Sequence, residues 1–92
     1  MKKEFYNGVG RRKNSTARVY LSDGKGNFSI NNVSDDINNY LKRESLVIHA
    51  VKPLEVLNLK GKYDIKINVK GGGLTGQAGA IQLGIARALL KI

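Results

Sequence analysis

Tyr63, Ile65, Ile67 and Val69 alternate with Asp64, Lys66, Asn68 and Lys70, so one side of this stretch is apolar and the other polar. A period of two predicts a half-buried β-strand. The strand runs into Gly71-Gly72-Gly73-Leu74-Thr75-Gly76-Gln77-Ala78, and from about Thr75 the apolar spacing turns helical. Ala78, Ile81, Ile85 and Leu89, with Ala88 and Ile92, form a core-facing stripe, while Gly76, Ala80, Gly84, Arg87 and Lys91 fall on the opposite side. A mid-helix glycine such as Gly84 costs about 1 kcal/mol relative to alanine. That cost points to a close approach there, by the sheet or by a ligand backbone.

The first half reads as short strands followed by helices. Residues 5–9 make a first strand, 10–15 a basic turn, and 16–21 a second strand with Ala17, Val19 and Leu21 on one face and Thr16, Arg18 and Tyr20 on the other. The turn formers of 22–27 predict a hairpin into a third strand at 28–30. Ser34-Asp35-Asp36 is an N-cap cluster for a short helix ending near Tyr40 or Leu41, and Ser45 can cap a second. Leu46, Ala50, Leu54 and Leu57 give that second helix an apolar stripe, in which Pro53 predicts a break or kink. His49, among Val47, Ile48, Ala50 and Val51, reads as a buried or snorkelling side chain. The pattern is that of one α+β domain spanning residues 1–92.

Charge changes the picture. Sixteen Lys+Arg against seven Asp+Glu leave a net charge of +9 on 92 residues, with 41% hydrophobic content. A field of that size on so small a body favours a polyanionic partner, although a basic, non-binding surface has the same composition. An amphipathic helix with a cationic face, as anionic membranes require, is not in the pattern. Without cysteine there is neither a disulfide framework nor a thiolate metal site, and one histidine cannot build a metal centre. The start, Met1-Lys2-Lys3-Glu4, is not followed by the apolar stretch of a signal peptide, and no run is apolar enough to span a bilayer. No cofactor is implied.

Two segments carry candidate chemistry. Arg11-Arg12-Lys13, with Arg18 nearby, is the densest cation cluster, suited to tracking a phosphate backbone or simply to facing solvent. Gly71 to Gly76 has the spacing of a nucleotide P-loop, but Gln77 and Ala78 stand where that loop needs Lys and Ser or Thr. Without the ammonium and the hydroxyl it cannot serve phosphoryl transfer. Its free N–H groups can still receive a phosphate that stays in place, and the alternative is a tight turn needing positive φ. Lys2, Lys3 and Lys25 are less specific phosphate neighbours. Tyr6, Tyr20 and Tyr40 could stack on bases, though packing is the expectation for at least two of them.

Gly8-Val9-Gly10-Arg11-Arg12-Lys13 followed by Ala17-Arg18-Val19 resembles the N-terminal signature of the S-nine family of small-subunit ribosomal proteins. Gly71-Gly72-Gly73, Gly76-Gln77, Ala80, Gly84 and Ala86-Arg87-Ala88-Leu89 resemble the family's other signature, and the connection through Val51 and Pro53-Leu54-Glu55 is similar too. The resemblance implies a two-layer α+β sandwich of the ribosomal-protein S-five domain-two type, with a left-handed β-α-β crossover. General chirality favours the right-handed form, so on this point the expectation follows the family.

It also implies a structural, non-enzymatic role on a cytoplasmic or organellar ribosome, with small-subunit ribosomal RNA of the head (its three-prime major domain) and neighbouring head proteins as partners. The RNA-binding residues expected on this basis are Arg11, Arg12, Lys13, Arg18, Lys70, Gly71, Gly72, Gly73, Gly76, Gln77 and Arg87. The family's basic C-terminal tail, which reaches transfer RNA, has no counterpart before Ile92, so that contact is not carried over.

Overall fold

The computed structural model describes residues 5–92, and the readings made for Lys2 and Lys3 lie outside the described residues. Its elements are β1 (Tyr6–Arg12), β2 (Ser15–Asp23), β3 (Phe28–Ile30), α1 (Ile37–Leu41), α2 (Glu44–Val56), β4 (Tyr63–Lys70) and α3 (Leu74–Leu89). They form the α+β two-layer fold that the resemblance implies: a four-stranded sheet of order β1-β2-β4-β3, with α2 and α3 packed on one face. β1–β2 and β2–β4 are antiparallel, and β3 lies parallel to β4.

The alternation in β2 and β4 translates directly into packing. Ala17, Val19 and Leu21 of β2 and Ile65, Ile67 and Val69 of β4 are buried in one core with Ala78, Ile81, Ile85 and Ala88 of α3 and Val47, Ala50, Val51 and Leu54 of α2. Ile67 and Ile81 are fully buried, and truncating such a side chain to alanine costs about 2–5 kcal/mol. Asp36 caps α1 as its sequence predicts, its carboxylate accepting from the Asn38 N–H at 2.9 Å.

Several expectations are corrected. β2 and β3 do not form a hairpin, because β4 lies between them. An eight-residue strand in register along β2 replaces far more ladder hydrogen bonds than the three-residue β3 could. The connection over residues 24–27 is held at Asp64, whose Oδ1 accepts from the N–H groups of Lys25 (3.0 Å) and Asn27 (3.1 Å). β1 runs on through Arg12, so the basic turn shrinks to Lys13-Asn14, both at positive φ (48° and 67°), the two-residue geometry that fits strand twist.

In α2 the N-cap is Arg43 rather than Ser45, and the helix continues across Pro53 without a break. Its buried stripe is Val47, Ala50, Val51 and Leu54; Leu57 and His49 are exposed. α3 ends at Leu89, before Ile92, which is exposed, whereas Gly76, Ala80 and Gly84, expected on the far side of the helix, are buried. The approach predicted at Gly84 is that of the sheet. A Cβ there would stand 2.6 Å from Val19 Cγ2, and a Cβ on Gly10 of β1 would run into the Ala80 carbonyl. β1 has little apolar content because helix backbone, rather than side chains, covers its inner face.

Candidate nucleic-acid interface

The two-residue turn after β1 brings Arg12 and Lys13 against the start of α3. A Cβ on Gly76 would lie 3.1 Å from Lys13 Cβ, and one on Gly79 would lie 2.9 Å from Arg12 Cγ, so both cationic stems run across the first turns of the helix. Gly73 occupies the N-cap and offers no side-chain hydrogen bond; the first N–H taken up by a helix carbonyl is that of Gln77, bonded to Gly73 O at 2.9 Å. The N–H groups of the exposed Leu74 and Thr75, ahead of it in the first turn, have no helix carbonyl to bond, and the helix dipole favours an anion there, close to the chain segment that carries Arg12 and Lys13.

The three glycines of the loop have different reasons. Gly71 (φ 82°) and Gly72 (φ 60°) are in the left-handed region, and a Cβ on either would strike the turn at Asn14 or Ser15. Gly73 has φ −96° and ψ 178°, extended backbone open to any residue, and nothing lies within 4 Å of its Cβ position. The expectation of positive φ holds for the first two and not for the third.

Hydrogen bonds fix this corner from behind. The Gly71 carbonyl accepts from Ser15 Oγ at 2.8 Å and from Gln77 Nε2 at 3.1 Å. Gln77 Oε1 in turn accepts from the Tyr40 hydroxyl at 2.8 Å. Asn31 Nδ2 donates to that hydroxyl at 3.3 Å, and its amide pairs with both the N–H and the carbonyl of Val69 (2.7 and 3.0 Å). Gln77 is thus an internal strut with both ends of its amide in use. The roles of Ser15, Asn31 and Tyr40 in this network carry no signal in the sequence, where Ser15 reads as part of the basic turn and Tyr40 as a packing or stacking ring. Tyr6 and Tyr40 pack against the core, as expected of two tyrosines.

The remaining predicted residues go elsewhere. Arg11, Arg18 and Lys70 lie on the sheet face away from the helices, with Arg11 paired to Thr16 and Thr16 to Lys70. Arg87 sits on the outer flank of α3 and donates from Nη1 to the Val9 carbonyl at 2.7 Å, closing part of the β1 edge. Lys91 does the same through Asn7 Oδ1 at 3.0 Å. Among the described residues there is no group of side chains suited to a metal ion, and no helix is long and apolar enough to cross a membrane.

Known proteins resemble this chain over most of its length. The chain is 52% identical over 87 residues to the small ribosomal subunit protein uS9 of Thermotoga petrophila, and equally so to that of Thermotoga maritima. It is 53% identical over the same length to the uS9 of Thermotoga neapolitana. In each case 94% of this chain is covered, and the chain spans 65% of the relative's length. Residues 10–92, which contain Arg12, the Lys13-Asn14 turn, the glycine loop and all of α3, match the family described as ribosomal protein S9/S16. On the match of its sequence across both signatures, the chain belongs to the ribosomal protein S9/S16 family.

Proposed function

We propose that this chain is a structural, non-catalytic component of the small ribosomal subunit that binds ribosomal RNA of the subunit head. What supports the reading most directly is the corner where Arg12 and Lys13 flank the uncapped start of α3 behind Gly71–Gly73. Two cations and N–H groups left without a helix carbonyl suit a phosphodiester, with contacts that position the chain rather than read bases. Arg11, Arg18, Lys70, Gly76 and Arg87 belong to the same reading as further contacts, and Gln77 as the strut that shapes the loop. The net charge of +9 supplies the long-range attraction. The bacterial relatives favour a cytoplasmic ribosome, and neighbouring head proteins complete the set of partners. No transfer-RNA contact is assigned to these residues.

The test is a titration of the three-prime major domain of bacterial small-subunit ribosomal RNA at several salt concentrations. Binding is expected to weaken with a log–log slope of about −0.7 to −0.9 per phosphate neutralised. Arg12→Gln with Lys13→Gln is expected to flatten that slope by about 1.5 units at unchanged melting temperature. An unchanged slope would make the turn a solvated face, and failure of the unaltered chain to bind would remove the reading itself.

A further inference from the structure

We infer that the open face of the sheet is a second RNA-docking surface, gripping the sugar–phosphate backbone through Arg11, Arg18, Lys66 and Lys70; this rests on the RNA-binding role proposed above. The β register assembles it. Directly paired residues of antiparallel strands share a face, which places Arg11, Thr16 and Lys70 in one row and Val9, Arg18 and Asn68 in the next. A third row, two residues further on, holds Tyr20, Lys66 and Ser29. With strands about 4.8 Å apart and about 3.3 Å per residue, the four cations start within roughly 8–16 Å of one another. Their flexible stems can converge on neighbouring phosphates.

All four are exposed, and none forms an ion pair with a described residue, where Lys60–Glu55 at 3.5 Å is the salt bridge present. Among the described residues the acidic one on this face, Asp64, lies at the far end of β4, where its carboxylate holds the 24–27 connection. Both long helices use the opposite face. Between Arg18 and Lys70 runs a shallow groove of about 240 Å³, lined also by Thr16, Asn68 and Asn31. The Asn31 amide is taken up by Val69, so the hydroxyl of Thr16 and the amide of Asn68 are the groups that suit phosphate and ribose oxygens.

RNA fits this face better than a protein does. The centre of a protein interface is depleted in charge and rich in apolar anchors, whereas nucleic-acid interfaces are strongly cationic and wet. Here the centre is Arg18, Asn68 and Lys66, and the exposed aromatic Phe5 stands at the margin, edge-on to Tyr20 with ring centres 6.3 Å apart. Lys66 has no hydrogen bond or ion pair among the described residues that would explain a cation in mid-sheet. Arg12, by contrast, points to the helix side of the same sheet. The two basic surfaces are therefore separate.

The absence of cysteine makes a direct test simple. Single cysteines placed by Ser29→Cys (edge of the open face), Thr75→Cys (loop corner) and Lys52→Cys (outer side of α2) are each linked to iron–EDTA. The labelled chains are bound to bacterial small-subunit ribosomal RNA, and hydroxyl-radical cleavage is mapped. Strong cleavage from position 29, well above that from position 52, is the expected result. Cleavage from position 75 with none from position 29 would overturn the docking face while leaving the RNA-binding role intact, as would an acidic protein neighbour seated there. No cleavage from any position would remove both.

As a second readout, Arg18→Gln with Lys66→Gln is expected to flatten the salt slope by about 1.5 units, additively with the Arg12 and Lys13 changes. A wild-type slope in a folded variant would also overturn the inference.

Discussion

Gln82 Nε2 donates to the His49 carbonyl at 2.9 Å, joining α3 to α2 at the one interior carbonyl that Pro53 leaves without a helix donor. Proline has no N–H, so the bond that residue 53 would make to residue 49 is missing. A side chain from the neighbouring helix takes its place. The apolar stripe on either side of the gap, Ala50, Val51 and Leu54, stays buried, which is why α2 runs through instead of ending.

This relationship gives a thermodynamic cycle. Gln82→Ala is expected to lower stability by about 0.5–1.5 kcal/mol, since the exposed carbonyl regains water in exchange. For a domain of this size that is about 4–8 °C of melting temperature per kcal/mol. In a Pro53→Ala background the helix supplies its own donor, and the Gln82→Ala loss is expected to shrink toward zero. An equal loss in both backgrounds would show that Gln82 acts by packing alone.

Asn31 pairs its amide with the N–H and carbonyl of Val69 and so continues the sheet beyond the end of β3. Its backbone has φ 55°, a conformation glycine adopts without strain. Asn31→Gly therefore removes the side-chain bonds and leaves the turn comfortable. The expected cost is about 1–3 kcal/mol, from leaving a partly buried peptide group unpaired. Asn31→Asp keeps the acceptor for the Val69 N–H but sets a carboxylate oxygen, which cannot donate, against the Val69 carbonyl, and is expected to lose at least as much. Urea midpoints at constant m-value separate the two.

β4, α3 and the Asp36 cap were legible because each is written in local pattern: strict alternation, a helical stripe, an acidic cap. The pairing of β2 with β4 was not, since it depends on which of two distant segments offers the longer ladder. β1 was cut short in the reading because Gly8, Gly10, Arg11 and Arg12 show no apolar alternation. Its inner face is filled by the backbone of α3, which leaves no side-chain signal. The cations at residues 11–13 looked like one cluster in sequence, yet neighbouring strand residues point to opposite faces. Arg11 and Arg12 thus part company, and Lys66 joins Arg11 only through the register.

Gly84 tests the helix–sheet contact. Alanine there gains about 1 kcal/mol of helix propensity, but its Cβ would meet Val19 Cγ2 at 2.6 Å. Overpacking of this kind costs about 1–3 kcal/mol. A net loss of about 1 kcal/mol is expected for Gly84→Ala in thermal unfolding. Once Val19→Ala has made room, the same change is expected to stabilise by about as much. A stabilising effect in the unaltered chain would mean that α3 and β2 slide apart freely.

The three loop glycines divide structural from ligand constraint. Gly71→Ala and Gly72→Ala put a side chain at positive φ, about 1–2 kcal/mol unfavourable, and drive it into the Asn14–Ser15 turn. Both are expected to lower the melting temperature, and any effect on RNA follows from that. At Gly73 a Cβ would have no atom within 4 Å beyond its chain neighbours and the backbone is extended, so Gly73→Val is expected to lose only about 1 kcal/mol from the poorer N-cap. Yet its branched side chain stands over the N–H groups left without a helix carbonyl at the start of α3. If a phosphate sits there, ribosomal RNA affinity is expected to fall by about tenfold, or about 1.4 kcal/mol, in a protein still fully folded at the assay temperature. Wild-type affinity in folded Gly73→Val would mean that no phosphate approaches α3 here, and that turn geometry accounts for Gly71 and Gly72 without any ligand.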